Sequence, residues 1–266
     1  MELTKRHMLG KVPEITIMFW VAKLGTTAFG EAFSDYVFFN DYIGRVLAIS
    51  MGLALLLVCW AIQFRTRKYT PWVYWLAVTA VSIFGTMSAD FMNKDMNMTL
   101  LESTATLLVL QATVFAAWYA TEKTLDVHSI NTFRREAFYW ATVLLTFELG
   151  TAASDYASVS LNWGTLKSTW VFLAIIMLPA ISSRFVPGIS VFLFWFAYTI
   201  TRPLGAAFAD WLGVPAPYGD GLQIGTGPIS LVTGLVLLGI VGATDVLHRR
   251  ASALTSPDVS GLAIEV

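Results

Sequence analysis

Four times in this chain of 266 residues an aromatic residue and a tryptophan are followed, at fixed spacing, by a glycine and then by an aspartate with a second aromatic residue. The tryptophans are Trp20, Trp75, Trp140 and Trp195, the glycines Gly30, Gly85, Gly150 and Gly205, and the aspartates Asp35, Asp90, Asp155 and Asp210. No gap interrupts the pattern aromatic-Trp-x9-Gly-x4-Asp-aromatic. Successive tryptophans are 55, 65 and 55 residues apart, so the first pair of copies is spaced like the second pair. This spacing reads as a two-helix unit doubled and then doubled again, and an internal repeat constrains the fold before any local signal does.

The units read as membrane helices. The chain is 56% hydrophobic and 13% charged, where a soluble domain carries about 25% charge. Eight segments, near 13–37, 42–63, 71–92, 98–121, 134–157, 166–184, 187–212 and 227–247, are long enough to cross about 30 Å of hydrocarbon as helices. The predicted fold class is all-α, a polytopic membrane helical bundle of eight transmembrane helices built from four parallel two-helix repeats. Those repeats cover about 13–63, 71–121, 134–184 and 187–247 of one transmembrane domain, 13–248, between a leader, 1–12, and a tail, 249–266. The first segment contains Lys23, Glu31 and Asp35 and no small-residue cleavage site follows it, so it reads as a retained helix rather than a signal peptide. Twelve Lys and Arg side chains fall at one set of helix ends and three, Arg45, Lys94 and Lys167, at the other. That asymmetry predicts both termini in the cytoplasm. The many aromatic residues are expected in two interfacial belts, the repeat tryptophans near the inner one.

Several function classes are disfavoured. A net charge of −1 argues against a nucleic-acid partner. Cys59 is the single cysteine, so neither an intramolecular disulfide nor a cysteine metal site can form. His7, His128 and His248 lie away from the acids, no Gly-rich phosphate loop, serine nucleophile motif or haem attachment motif is present, and no enzymatic activity is expected. No covalently bound cofactor is expected either.

What remains is a set of charges in the apolar spans. Each repeat Asp lies 15 residues after its Trp, about 22 Å farther along a helix, so Asp35, Asp90, Asp155 and Asp210 should form one layer near the outer surface. Each is near the C-terminal end of its helix, where the macrodipole disfavours negative charge. Four acids there call for hydrogen-bond donors or for a cation. Four residues earlier stand Glu31, Thr86, Thr151 and Ala206, and seven earlier Ala28, Ile83, Glu148 and Pro203, a polar stripe that should face the bundle interior. Glu102, one turn into a descending helix, is expected close to the layer. Seven acids then face two deep bases, Lys23 and Arg202. Glu148 and Arg202 are expected to pair at one depth, while Lys23, lower, reaches toward the inner interface. Arg202 is also placed to serve the carbonyl that Pro203 frees on Thr199.

The words "KVPEITIMFWVAKLGTTAFGEAFSDY", "YTPWVYWLAV", "AAWYATEKTL", "RREAFYWATVLLTFELGTAASDY" and "FWFAYTITRPLGAAFADWL" resemble those of a bacterial family of uncharacterised membrane-anchored proteins. That family is built from four tandem copies of a two-helix repeat with a marked tryptophan. The resemblance implies the eight-helix architecture and a place in the cytoplasmic (inner) membrane of a bacterial cell, and no activity. From the residues, the expected function is secondary transport or exchange of a hard cation, Mn²⁺, Mg²⁺ or Ca²⁺. The four aspartates would be metal ligands, Glu31, Glu148 and Glu102 would complete the ion site, and Arg202 and Lys23 would form the charge-pair or gating set. Protonatable Glu31 and Glu148 would couple the movement to protons. The expected partners are the lipid bilayer and a small inorganic cation or protons, with homo-oligomerisation left open. The alternative is a non-transporting membrane binding or sensing protein whose charges hold the bundle together.

Overall fold

A computed structural model describes residues 10–182, 190–217 and 219–255. Most of the leader, the tail beyond 255 and the boundary between the third and fourth repeats lie outside the described residues. Among those described, the chain forms eight α-helices and no strand. They are α1 (Ile17–Phe38), α2 (Arg45–Arg65), α3 (Pro71–Lys94), α4 (Leu100–Glu122), α5 (Phe133–Asp155), α6 (Gly164–Ser182), α7 (Ser190–Gly213) and α8 (Thr226–Thr255). Threonines start several of them. Thr16 and Thr132 accept from Phe19 N and Arg135 N, and Thr99 closes a capping box with Glu102, satisfying amide donors that the first turn leaves without partners. A short π-helical turn, Tyr156–Ser160, carries α5 beyond Asp155.

The odd-numbered helices, which carry the repeat motif, form an inner ring: α1 packs on α3, α3 on α5, α5 on α7 and α7 on α1. The second helix of each repeat packs chiefly against the next repeat rather than its own, α2 on α3, α4 on α5 and α6 on α7, while α8 closes the circle on α1. The outer helices turn apolar side chains outward, including Leu47, Leu57, Leu108, Val109, Leu231 and Leu235. Five helices, α2, α3, α4, α7 and α8, are long and apolar enough to cross a membrane. The charged residues of α1 and α5 and the shorter apolar length of α6, Gly164–Pro179, set the other three apart.

Two sets of contacts fix the ring. At one end, the aromatic residue before each Trp meets the Trp of the next repeat. Ring centroids are 5.7 Å apart for Phe19–Trp75, 5.7 Å for Tyr74–Trp140, 6.1 Å for Tyr139–Trp195 and 5.8 Å for Phe194–Trp20. Such tilted pairs add to the burial of large apolar surface. The repeat tryptophans therefore do not form an interfacial belt as their composition suggested. Trp75, Trp140 and Trp195 are at most 5% exposed and are ring-to-ring packing pieces. One helix turn past mid-motif, each repeat glycine lies against the residue seven positions after a neighbouring tryptophan. Gly30 meets Ser82, Gly85 meets Phe147, Gly150 meets Arg202 and Gly205 meets Thr27, the last contact closing the circle. A Cβ on Gly30, Gly150 or Gly205 would collide with that neighbour, so glycine here sets how closely the backbones approach. Equal registers at both levels mean that the four inner helices run the same way, from a Trp end to an Asp end.

Candidate functional site

Counting from each tryptophan, the residues three, seven, eleven and fifteen positions later converge on the common axis. Contacts between helices on opposite sides of the ring establish this: Lys23 of α1 reaches Phe147 of α5, and Arg202 of α7 reaches Thr86 of α3. A row of residues four apart is inclined by about 26° to its own helix, so the row follows a common axis when helices lean against it.

The two ends of the axis differ in exposure. At the Asp end Asp35, Asp155 and Asp210 are partly exposed, and Asp90 is 5% exposed. Carboxylate oxygens of Glu31, Asp35 and Asp210 lie within 4.8 Å of one another. Asp90 and Asp155 complete the ring on the other side, close enough for their charges to interact with each other, with Glu31 and with Lys94. The Asp90 Oδ2 atom is buried without a hydrogen-bond partner among the described residues, as are the hydroxyls of Ser34 and Ser154, which precede Asp35 and Asp155 in sequence. Oxygen atoms of this kind are the donor set of hard cations.

The floor of this acid ring is an ion pair. Arg202, fully buried, holds Glu31 through Nη2, and the same nitrogen donates to Thr86 Oγ1 and, at 2.7 Å, to Thr151 Oγ1. The two threonine hydroxyls turn back to Glu31 Oε2, at 3.0 Å from Thr86 and 3.4 Å from Thr151. Nη1 donates to the carbonyl of Thr27 at 3.2 Å. All four inner helices thus share one charge-assisted network, the arrangement under which a buried pair keeps its desolvation cost covered.

Beneath the floor the axis is lined by aromatic rings. The Lys23 amine is fully buried, 3.5 Å from the centroid of the Phe147 ring and 4.1 Å from that of Tyr198. Among the described residues it has no hydrogen-bond partner. Tyr74, Tyr139 and Tyr198 close the Trp end with Phe19 and Phe194, and the Tyr74 and Tyr139 hydroxyls are 2.5 Å apart.

The expected site residues divide accordingly. Glu31, Asp35, Asp90, Asp155 and Asp210 come together. Glu102 does not: it is exposed in the first turn of the outer helix α4, where it accepts from Thr99 N at 2.8 Å. The expected Glu148–Arg202 pair is corrected to Glu31–Arg202. Glu148 lies eight positions after its tryptophan, one residue off the axial row and hence turned about 100° from it. It sits beside Gly85 and Ser88 of α3. Arg202 serves the carbonyl of Thr27 across the ring rather than that of Thr199. Lys23 does not reach for the interface, because three other helices enclose its position. The tyrosine cluster was missed in the sequence, although the aromatic residue before each tryptophan was its signal.

A family model described as a repeat of unknown function, DUF347, matches the chain four times, over residues 18–69, 73–124, 138–185 and 193–249. No curated protein and no solved structure matches the chain.

Proposed function

The chain belongs to the DUF347 repeat family, and because its four copies bring their aspartates together with Glu31 at one end of a common axis we propose that it is a multi-pass membrane carrier of a hard divalent cation, Mn²⁺, Mg²⁺ or Ca²⁺. The observation that carries this reading is the layered axis: a ring of aspartates reached from one end, resting on the Glu31–Arg202 pair, with the other end sealed. An ion held by Glu31, Asp35 and Asp210 draws on the same Glu31 that holds Arg202. Arrival of the ion therefore competes with the floor contact, which couples binding to the packing of all four inner helices.

On this reading all eight helices span a cytoplasmic membrane. α1 turns Lys23, Glu31 and Asp35 to the axis and α5 turns Asp155 there, where intramembrane ionisable groups belong, while Glu148 lies between α5 and α3. The 19 residues of α6 reach about 28 Å at 1.5 Å per residue. The Trp end carries Lys11, Arg65, Arg67, Lys68, Lys123, Arg134, Arg135, Arg249 and Arg250, and by the positive-inside rule it faces the cytoplasm. The acid ring then faces outward.

One observation favours a second reading. Lys23, Arg202 and the aromatic layer close the inner half, and a protein that only senses or stores an external cation needs no inner exit. Equilibrium binding of Mn²⁺ to the purified protein, followed by electron paramagnetic resonance, tests the shared premise. Wild type should bind and Asp35→Asn with Asp210→Asn should not. Absence of binding to wild type would remove both readings, and binding without flux would leave the second.

A further inference from the structure

Each outer helix packs on one inner helix and forms a wedge with the next inner helix of the ring. In two of the four wedges an indole of the outer helix fills the space at the Trp end. Trp60 of α2 meets Trp140 with ring centroids 6.4 Å apart, and Trp118 of α4 meets Trp195 at 5.7 Å. The wedge of α8, which packs on α1 and has α3 as its next inner helix, is different. The residues of α8 that share this space with Trp75 include Leu237, Leu238 and Val241, none of them aromatic. A groove of about 800 Å³ remains, walled by Phe33 and Tyr36 of α1, Trp72 and Leu76 of α3, and Leu231 and Leu238 of α8. It follows α8 from Pro228 to Val241, about 20 Å at 1.5 Å per residue. The wedge of α6, at Trp20, is open as well but smaller, about 530 Å³.

The Trp end of the α8 groove is basic. Trp72 lies against Gly242 of α8. Just beyond, Tyr69 packs edge-on against exposed His248 with centroids 5.2 Å apart, so the loop before α3 and the last turns of α8 meet there. Arg67 and Lys68 in that loop and Arg249 and Arg250 on α8 are exposed. Asp245, beside them, pairs with Arg249 at 2.8 Å. With 30 residues, α8 reaches about 45 Å and outruns a hydrocarbon core of about 30 Å, which sets its basic last turns at headgroup depth.

An apolar groove that ends at fixed positive charge matches a molecule with an acyl chain and an anionic head, and basic clusters beside a membrane helix attract such lipids. A second copy of the chain does not match. Copies in one membrane point the same way, so a partner's helix in the groove would bring its own basic Trp end against this one, and like charges set side by side oppose association. We propose that the groove between α1, α3 and α8 binds an anionic phospholipid of the leaflet at the Trp end, with one acyl chain along α8 between Tyr36 and Trp72 and the phosphate at Arg67, Lys68 and Arg250. The lipid chain joins α8 to α3 where Trp60 and Trp118 make the same join in two other wedges. The inference rests on the membrane-spanning reading above and not on the cation.

The test is native mass spectrometry of the full chain released from detergent micelles that contain equal amounts of phosphatidylglycerol and phosphatidylcholine with the same acyl chains. Wild type should retain phosphatidylglycerol at least tenfold over phosphatidylcholine. Arg67→Gln with Lys68→Gln should cut that preference at least threefold. Leu238→Trp, which supplies this wedge with the indole that two others have, should lose both lipids; Leu238 is 56% exposed, so the larger side chain displaces no packed neighbour. The charge variant carries the test if Leu238→Trp fails to fold. Wild type that retains neither lipid or both equally, or a charge variant with unchanged preference, would overturn the site. So would a lipid-free dimer that Leu238→Trp splits. Recovery of the chain in the supernatant after an alkaline carbonate wash of membranes would remove the membrane-spanning reading and the site with it, whereas absence of Mn²⁺ binding or flux would sink the carrier reading alone.

Discussion

Arg202 on α7 holds Glu31 on α1, although 171 residues separate them, and Thr86 and Thr151 on the two intervening helices bind the same pair. Breaking one side of such a pair strands a buried charge and costs about 3–5 kcal/mol. Glu31→Gln and Arg202→Gln should each destabilise the protein by that order in thermal or denaturant unfolding, and the double variant should recover much of the loss. Glu148 with Arg202 serves as the control: their double-mutant cycle should give a coupling below about 0.5 kcal/mol, the range of independent sites. A larger value there, with none for Glu31, would reverse the assignment.

The glycine ring sets a second expectation. Gly150→Ala drives a Cβ into Arg202 and Pro203, and Gly30→Ala drives one into Ser82. Overpacking of this kind costs about 1–3 kcal/mol. Gly239→Ala, where nothing lies within 4 Å, should be neutral or stabilise by up to about 1 kcal/mol through helix propensity. Melting temperatures of the three variants in one detergent decide the matter, and equal values would mean that the close approach of the inner helices is not required.

Orientation is checked by labelling single cysteines in a Cys59→Ala background. Cysteines at Lys94 and Lys167, both exposed at the Asp end, should react with an impermeant maleimide on whole cells. Cysteines at Arg67 and Lys123 should react only after permeabilisation. The opposite pattern would turn the acid ring toward the cytoplasm.

A cation that binds the folded state stabilises it by mass action, by about 2.7 kcal/mol at a concentration 100 times its Kd, and so raises its melting temperature. Mn²⁺ should therefore stabilise wild type and Glu102→Gln equally, because Glu102 is an exposed capping residue away from the axis. Asp35→Asn with Asp210→Asn should lose the increment while remaining folded. A loss in Glu102→Gln would show that the ion sits elsewhere.

Much of this arrangement can be read from the chain. The motif places its aspartates and tryptophans at constant separation, and parallel inner helices then put each set at one end. The closing of the ring is not in the motif: nothing local to α8 tells that it packs on α1, or that each second helix leaves its own repeat for the next. The axial face was also misjudged. An ideal helix brings residues four and seven before each Asp onto its face, and the position seven before selects Glu148. The leaning helices keep a four-residue row instead, which selects Thr27, Ser82, Phe147 and Arg202, then Lys23 and Tyr198. A shift of one residue turns a side chain by about 100°, and that shift is the difference between Glu148 and Glu31 as the partner of Arg202. The aromatic residue before each tryptophan was visible, but composition alone assigns such residues to a membrane interface; only the ring contacts show them as a buried plug.

The central claim is that the acid ring passes a hard cation across the membrane. Its most direct measurement is uptake of Mn²⁺, Mg²⁺ and Ca²⁺ into sealed proteoliposomes, each followed with an internal indicator, for wild type and for the variant in which Asp35, Asp90, Asp155 and Asp210 are all asparagine. Saturable uptake of at least one of the three by wild type, reduced to the rate of empty vesicles in the variant, is the predicted result. Uptake of none by wild type that is folded and correctly oriented, or uptake unaffected by loss of the four carboxylates, would contradict it.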